Sequence, residues 1–343
     1  MLKEDHPLSS LVVCEGFTLQ EPVTFDSLVI GKDRVYGPGE LVPLREIVPF
    51  TKGRADGWRL VEHIQSSRKR GWPTFRPFEF NGQSIAICGG GPSLAYTLPE
   101  LRALQKKGTK VMAINRTHDF LLDLPKTHGV PWIKPWAGIL LESIPHAAKY
   151  MRPTKGVRYY VGSQCHSDTF DVFEKSEHYI WHAESRTEMV ECLTPQERKQ
   201  MVPAVGSTCG LRAIVLAYMM GFTDIHLFGM DSCYSEHDVT NGIRGSDGSP
   251  KLHAYHKPEA IHDVKELTVK GWGDGVDRKY WGNGNMLAQA DEFQRFCTWR
   301  DDRLKRGAMD PHKLIVHGFG LIPDMARAFG LHADNFTPER KAA

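Results

Sequence analysis

The chain lacks a long apolar run, a basic block and any paired-cysteine spacing, and each absence removes a class of function. Its apolar stretches are short, such as Ile214 to Met220, and mean hydropathy is −0.37, so no membrane span is expected. Lys+Arg number 43 against Asp+Glu 41, a formal charge of +2, without the basic stripe that grips a nucleic-acid backbone. Nucleic acid is therefore not an expected partner. Seven cysteines lie scattered without CxxC spacing and read as reduced, mostly buried thiols of a cytoplasmic protein. The opening "MLKEDHPLSS" also lacks the charged-then-apolar order of a secretory signal.

What is present is alternation. In 343 residues there is room for one large α/β domain with a smaller appendage. Residues 1–80 offer short β-type runs broken at "GKDR" and "YGPGE", a β-rich extension that ends in the basic, proline-broken "SSRKRGWPTFRPFEFNG". From residue 84 strand-like runs ("SIAIC", "KVMAIN", "VRYYVGS", "DIHLFGMD", "KLIVHG") alternate with helical patterns ("LPELRALQKKG", "STCGLRAIVLAYMMG", "NMLAQADEFQRFCTWRDDRLK", "IPDMARAFG"). Strand following helix over residues 81–335 predicts a doubly wound, mostly parallel, Rossmann-like α/β sheet, with 336–343 as a tail.

In such sheets ligands bind beyond the carboxyl ends of the strands. Gly89-Gly90-Gly91-Pro92-Ser93 follows the first strand of the alternation and precedes a helix. Glycines admit an anion close to backbone N–H groups, and a helix start adds its positive dipole end. The same residues also suit a tight turn that only packs strand on helix. The stretch is neither GxGxxG nor a Walker A loop. Asn115 ends the next strand, where an amide can read a base or ribose or simply form a turn. Gly206 to Gly210, with Ser207 and Thr208, opens a second helix, and Gly229-Met230-Asp231 sets a carboxylate at the same sheet edge.

Together, GxGPSL, the strand-end Asn and [ST]xG-helix-GFxxIxLxGxD resemble the DUF115 family, whose best-known branch is the MptE-like 6-hydroxymethylpterin diphosphokinases. Phage members are often filed as "norphogenetic protein". More distantly, the pattern is similar to the bacterial sialyltransferases of glycosyltransferase family 42, from which this chain departs at Gly90 and Cys209. The resemblance covers roughly residues 84 to 260. It implies a nucleotide-dependent transferase. Gly89, Gly91, Pro92 and Ser93 would line the donor's phosphates, joined by Gly90 in the same loop. Asn115 would contact ribose or base, Ser207, Thr208 and Gly210 would approach from the second loop, and Asp231 would act in catalysis. Two chemistries stay open: diphosphoryl transfer from ATP with Mg²⁺ to a hydroxymethyl acceptor, or glycosyl transfer from a nucleotide sugar. A nucleotide-binding module without chemistry is the third. On the phosphate reading, Gly91→Val blocks the nucleotide yet leaves a folded chain.

A polar stretch, "SEHDVTNGIRGSDGSPKLHAYHKP", follows Asp231 and reads as an acceptor-binding loop. His237, His253 and His256 lie in it, and imidazole suits the base that takes the proton of a small-molecule or polymer-borne hydroxyl. They equally suit surface histidines. Mg²⁺ would ride on the phosphates and lean on Asp231, with Asp238 as a second carboxylate. "GWGDGVDRKYWGNGN" reads as a loop, either packed or stacking on a planar acceptor.

Overall fold

The computed structural model describes residues 16–18, 28–30, 37, 39–43, 47–49, 57–77, 79–80, 82–184, 190–234, 265–270 and 276–335. Short antiparallel strands come first: β1 (Gly16–Thr18), β2 (Leu28–Ile30), β3 (Val42–Pro43) and β4 (Ile47–Pro49). Helix α1 (Gly57–Lys69) follows, where the sequence reading has the β-rich extension running into a proline-broken connection. Arg68 and Lys69 in its last turn complement the helix dipole, and Gly71 at φ 67 stops it.

The alternation then begins. Strand β5 (Ser84–Cys88) leads into α2 (Ser93–Tyr96) and α3 (Leu98–Lys106), then β6 (Lys110–Ile114) and α4 (Thr117–Thr127). Next come β7 (Ala137–Leu140), β8 (Arg158–Gly162), α5 (Ser167–Phe173), β9 (Glu177–Trp181) and α6 (Pro195–Lys199). Helix α7 (Cys209–Met219), β10 (Asp224–Phe228), β11 (Lys265–Lys270), β12 (Arg278–Gly282), α8 (Gly284–Lys305), β13 (Lys313–Val316) and α9 (Leu321–Ala328) complete the order.

Seven strands form one sheet in the order β13-β10-β5-β6-β7-β8-β9, every pair parallel. The doubly wound α/β fold is therefore as the alternation predicts. Its apolar strands are buried on both faces: Ile85 and Ile87 join the core under α7 and α8, while Ala86 and Cys88 join the core under α2 to α4. The chain winds outward from β5 to β9, then crosses back to lay β10 on the other side of β5. Strand order thus reverses beside β5, and the crevice opens at the carboxyl ends of β5, β6 and β10.

Three features depart from the sequence reading. Strands β1 and β3 of the β-rich extension join β11 and β12 in a second sheet ordered β12-β11-β1-β3, a pairing absent from the sequence reading, while β2 pairs with β4. Strand β12 is thereby drawn out of the stretch read as a loop. Strand β7, four buried residues, was not foreseen because "GVPWIKPW" before it carries two prolines and hides a short apolar run. Among the described residues no helix is long and apolar enough to cross a membrane. The six described cysteines are free thiols, five of them buried.

Candidate functional site

The loops after β5, β6 and β10 and the start of α7 meet around one cavity of about 570 Å³. It takes Gly89, Gly90 and Gly91 from the first loop, Asn115 from the second, and Ser207, Thr208 and Gly210 from the third. Asp231 lines it as well. The strand-end residues that the sequence singles out thus share one site.

Pro92 and Ser93 do not. Both are buried behind the loop, and Ser93 is fully covered. Its N–H and hydroxyl each donate to Asp231, at 2.6 Å to Oδ2 and 2.6 Å to Oδ1. Asp231 is 1% exposed, so its carboxylate is the buried latch between two loops. The latch is reinforced by backbone: the Gly89 N–H donates to the Phe228 carbonyl and the Gly91 N–H to the Gly229 carbonyl, both at 2.8 Å. Gly90 lines the cavity and keeps its N–H outside this set of bonds.

The glycines have a corresponding packing reason. A Cβ on Gly91 would sit 2.5 Å from Asp231 Oδ2 and 2.7 Å from the Gly229 carbonyl oxygen. The space that the sequence reading gives to a phosphate at this residue is filled by the chain itself. Gly91→Val therefore threatens the fold before it meets a ligand. Met230, which the sequence reading passed over, is the wedge. A Cβ on Gly89 would meet its sulfur at 2.8 Å, and one on Gly210 would meet its Cε at 2.6 Å. Gly229 itself turns at φ 60, in the region that glycine enters freely.

The rest of the cavity is left with donors and acceptors to offer. Thr208 caps α7 by accepting the Leu211 N–H, which leaves the first N–H groups of that helix, Cys209 and Gly210, at the cavity. Ser207 is held by Glu292, through both its N–H and its hydroxyl at 2.9 Å. Asn115 sits at φ 48, and its Oδ1 is buried without a hydrogen-bond partner. Ser232, at φ 49, is the other described non-glycine residue in this region, and it too lines the cavity. Left-handed backbone at side-chain-bearing residues costs about 1 kcal/mol or more each.

Arg116, also missed, lines the cavity beside Asn115, its guanidinium stacked 4.8 Å over the Tyr150 ring and 3.1 Å from His146 Nε2. Its place directly after a strand-end Asn was the available signal. Glu142 adds a carboxylate from the end of β7. Burial pushes the Cys209 thiol far up and raises the Tyr234 phenol, so neither cavity residue ionises near neutrality. His237, His253, His256 and Asp238 lie outside the described residues.

Other histidines and thiols of the sheet have structural places. His166 caps α5 by accepting the Asp168 N–H at 3.3 Å, and buried Cys165 takes the Glu142 N–H. His178 stacks on Trp72 at 3.9 Å. For Mg²⁺, the described residues hold no group of three His, Cys, Asp or Glu suited to a metal. Both Asp231 oxygens already accept from Ser93. Among the described residues the donor set fits an ion carried on phosphates, with Glu142 as the second carboxylate of the wall.

The family model described as 6-hydroxymethylpterin diphosphokinase MptE-like matches residues 59–237, a span that includes the glycine loop, Asn115, the α7 start and Asp231. The chain belongs to that family. MptE-like membership points to group transfer in general. No curated protein matches. Among solved structures, the MAf glycosyltransferase from Magnetospirillum magneticum AMB-1 is similar at 15% identity and a TM-score of 0.48, over 75% of this chain and 36% of that one. The GsuK channel bound to NAD matches at 13% identity and a TM-score of 0.15, over 80% and 49%. The chain therefore spans little more than a third of the glycosyltransferase's length.

Proposed function

We infer that this MptE-like chain is a nucleotide-dependent transferase that moves a diphosphoryl group from ATP to a hydroxyl-bearing acceptor. One observation carries the reading: all the loops of the family pattern converge on one cavity at the point where strand order reverses. Anion-binding groups cluster there. The Gly90 N–H and the Cys209 and Gly210 N–H groups at the start of α7 are available to a polyphosphate, and the Arg116 guanidinium brings a positive charge to the same wall. The Asn115 amide is available to ribose or base.

In this reaction the acceptor oxygen attacks the β-phosphorus, the Pα–O–Pβ bond breaks, and AMP departs with the bond pair. The acceptor proton passes to a base. Glu142 is the described carboxylate on the wall that is not latched to Ser93, and the 237–256 histidines are the candidates outside the described residues. Mg²⁺ brought in on the phosphates would supply charge neutralisation. Asp231 fixes the loops that present the phosphate donors, so its role is positioning.

The test is a thermal-shift panel of nucleoside di- and triphosphates and nucleotide sugars, with and without Mg²⁺, followed by assay for AMP release. ATP at a hundred times its Kd should add about 2.7 kcal/mol of stability. Response to nucleotide sugars alone would redirect the reading to glycosyl transfer. Nucleotide binding without AMP release on any hydroxyl acceptor would leave a binding module.

A further inference from the structure

Part of the cavity lies beyond the segment that carries the family pattern. Asn283, Asn285, Met286 and Gln289, from the start of α8, line it, and the family match ends at residue 237. Two tethers fix this end against the Asp231 loop. The Tyr234 N–H donates to the Trp281 carbonyl at 2.7 Å, which ties the loop after β10 to β12. The Ser232 hydroxyl donates to Gln289 Oε1 at 2.9 Å, which holds a left-handed residue in place. Asn283 is spent on capping, its Oδ1 accepting the Met286 N–H at 3.1 Å. Asn285 differs: its Oδ1 is buried and has no hydrogen-bond partner, the same condition as Asn115 Oδ1. Buried polar atoms in folded proteins are ordinarily paired, and an orphan in a cavity wall marks a place for a ligand's donor.

We propose that the α8 end of the cavity is the acceptor subsite, and that Asn285 selects an uncharged acceptor by taking a hydrogen bond from its N–H or O–H group. This rests on the reading of the cavity as a transferase site, and it adds the residue and the charge class. The described groups at this end are amides and a hydroxyl. Arg116, the cation among the described cavity residues, belongs to the β6 loop with Asn115. A phosphorylated or carboxylated acceptor would meet Asp231 and the neutral amides without a cation from α8. A heterocycle bearing N–H groups and a sugar bearing hydroxyls share the required chemistry.

The experiment uses the full chain and its Asn285→Ala and Asn115→Gly variants. Each is melted alone, then with 6-hydroxymethylpterin, with lactose, with glucose 6-phosphate as the anionic control, and with ATP plus Mg²⁺. Without ligand, Asn285→Ala should melt at or above the wild-type temperature, because the amide oxygen bonds to nothing in the fold. The shift given by the responding neutral probe should vanish in Asn285→Ala, with a loss of affinity of at least about tenfold, while the ATP shift stays within twofold. Asn115→Gly should do the reverse. The pterin and lactose arms distinguish heterocycle from sugar. The proposal is overturned by any of four results. These are a fall of several degrees in the ligand-free variant, survival of the neutral-probe shift, loss of the ATP shift in Asn285→Ala, or response of the wild type to the anionic control alone or to no acceptor probe. Failure of ATP to shift any form, with the neutral probe still lost in Asn285→Ala, would sink the diphosphokinase reading and leave this one standing.

Discussion

On the glycine-loop side of the cavity, the N–H groups of Gly89, Gly91 and Ser93 all bond to the 228–231 stretch. On the amide side, Asn115 and Asn285 each keep a buried oxygen with no partner. Both sides belong to one pocket, and both carry residues that a sequence reader would assign to ligand binding. The difference separates two reasons for a residue to be where it is. Glycines whose missing Cβ makes room for a neighbouring loop serve the fold. Amides that the fold leaves unsatisfied keep capacity that a ligand can use.

The largest expected effect breaks the bonded side. Gly91→Val places its Cβ on the Asp231 carboxylate and the Gly229 carbonyl, both held by hydrogen bonds and unable to withdraw. It should cost about 3 kcal/mol in urea denaturation, with a lower melting temperature before any ligand is added. A normally stable variant that had lost nucleotide binding would restore the phosphate role for this glycine and erase the contrast.

An effect of similar size, but present only in acid, reaches behind the same loop. Gly318 packs against Ser93, and its neighbour His317 stacks on Phe228 at 4.0 Å. His317 bonds His226 Nδ1 and Glu100 Oε2, each at 2.9 Å, with His332 and Asp224 also charged or titratable nearby. Burial is the main cause that drives its pKa down to about 4. The folded state then resists a proton that the unfolded chain takes up near 6.5. Stability should be full above about pH 6.5, fall as pH drops towards 4, and level off below, a loss of about 3 kcal/mol. His312, pushed down to about 4 by burial and then by Arg300, adds to the slope with the same sign. Chemical denaturation between pH 7.5 and 4 measures it, and His317→Gln should flatten part of the decline. An unchanged slope in that variant would assign the acid sensitivity elsewhere.

The smallest effect has the opposite sign and tests the amide side. Asn115→Gly keeps the φ 48 backbone at less strain and removes an oxygen that bonds to nothing. Stability should rise by about 0.5–1 kcal/mol while nucleotide affinity falls. A loss of stability would mean that the side chain serves the fold, and the two sides would no longer differ.

The local pattern in the sequence was enough to determine a parallel sheet, β7 apart, and the edge at which the candidate loops gather. Apolar runs of five residues such as "SIAIC", too short for a helix of their own, suit a strand covered on both faces, and helices between them favour parallel pairing with ligand loops at one edge. Asn115, Thr208 and Asp231 were legible because each follows or opens an element whose period can be read within a dozen residues. What those residues do was decided by tertiary structure. Ser93 and Asp231 are 138 positions apart, and no local signal says that the serine spends both its donors on that carboxylate. The same holds for Met230 wedged between Gly89 and Gly210, and for the α8 end, which reaches the cavity only because β12 pairs with β11 and ties back to Tyr234. Glycine is demanded alike by a phosphate and by a neighbouring loop. Only the packed structure shows which of the two occupies the space.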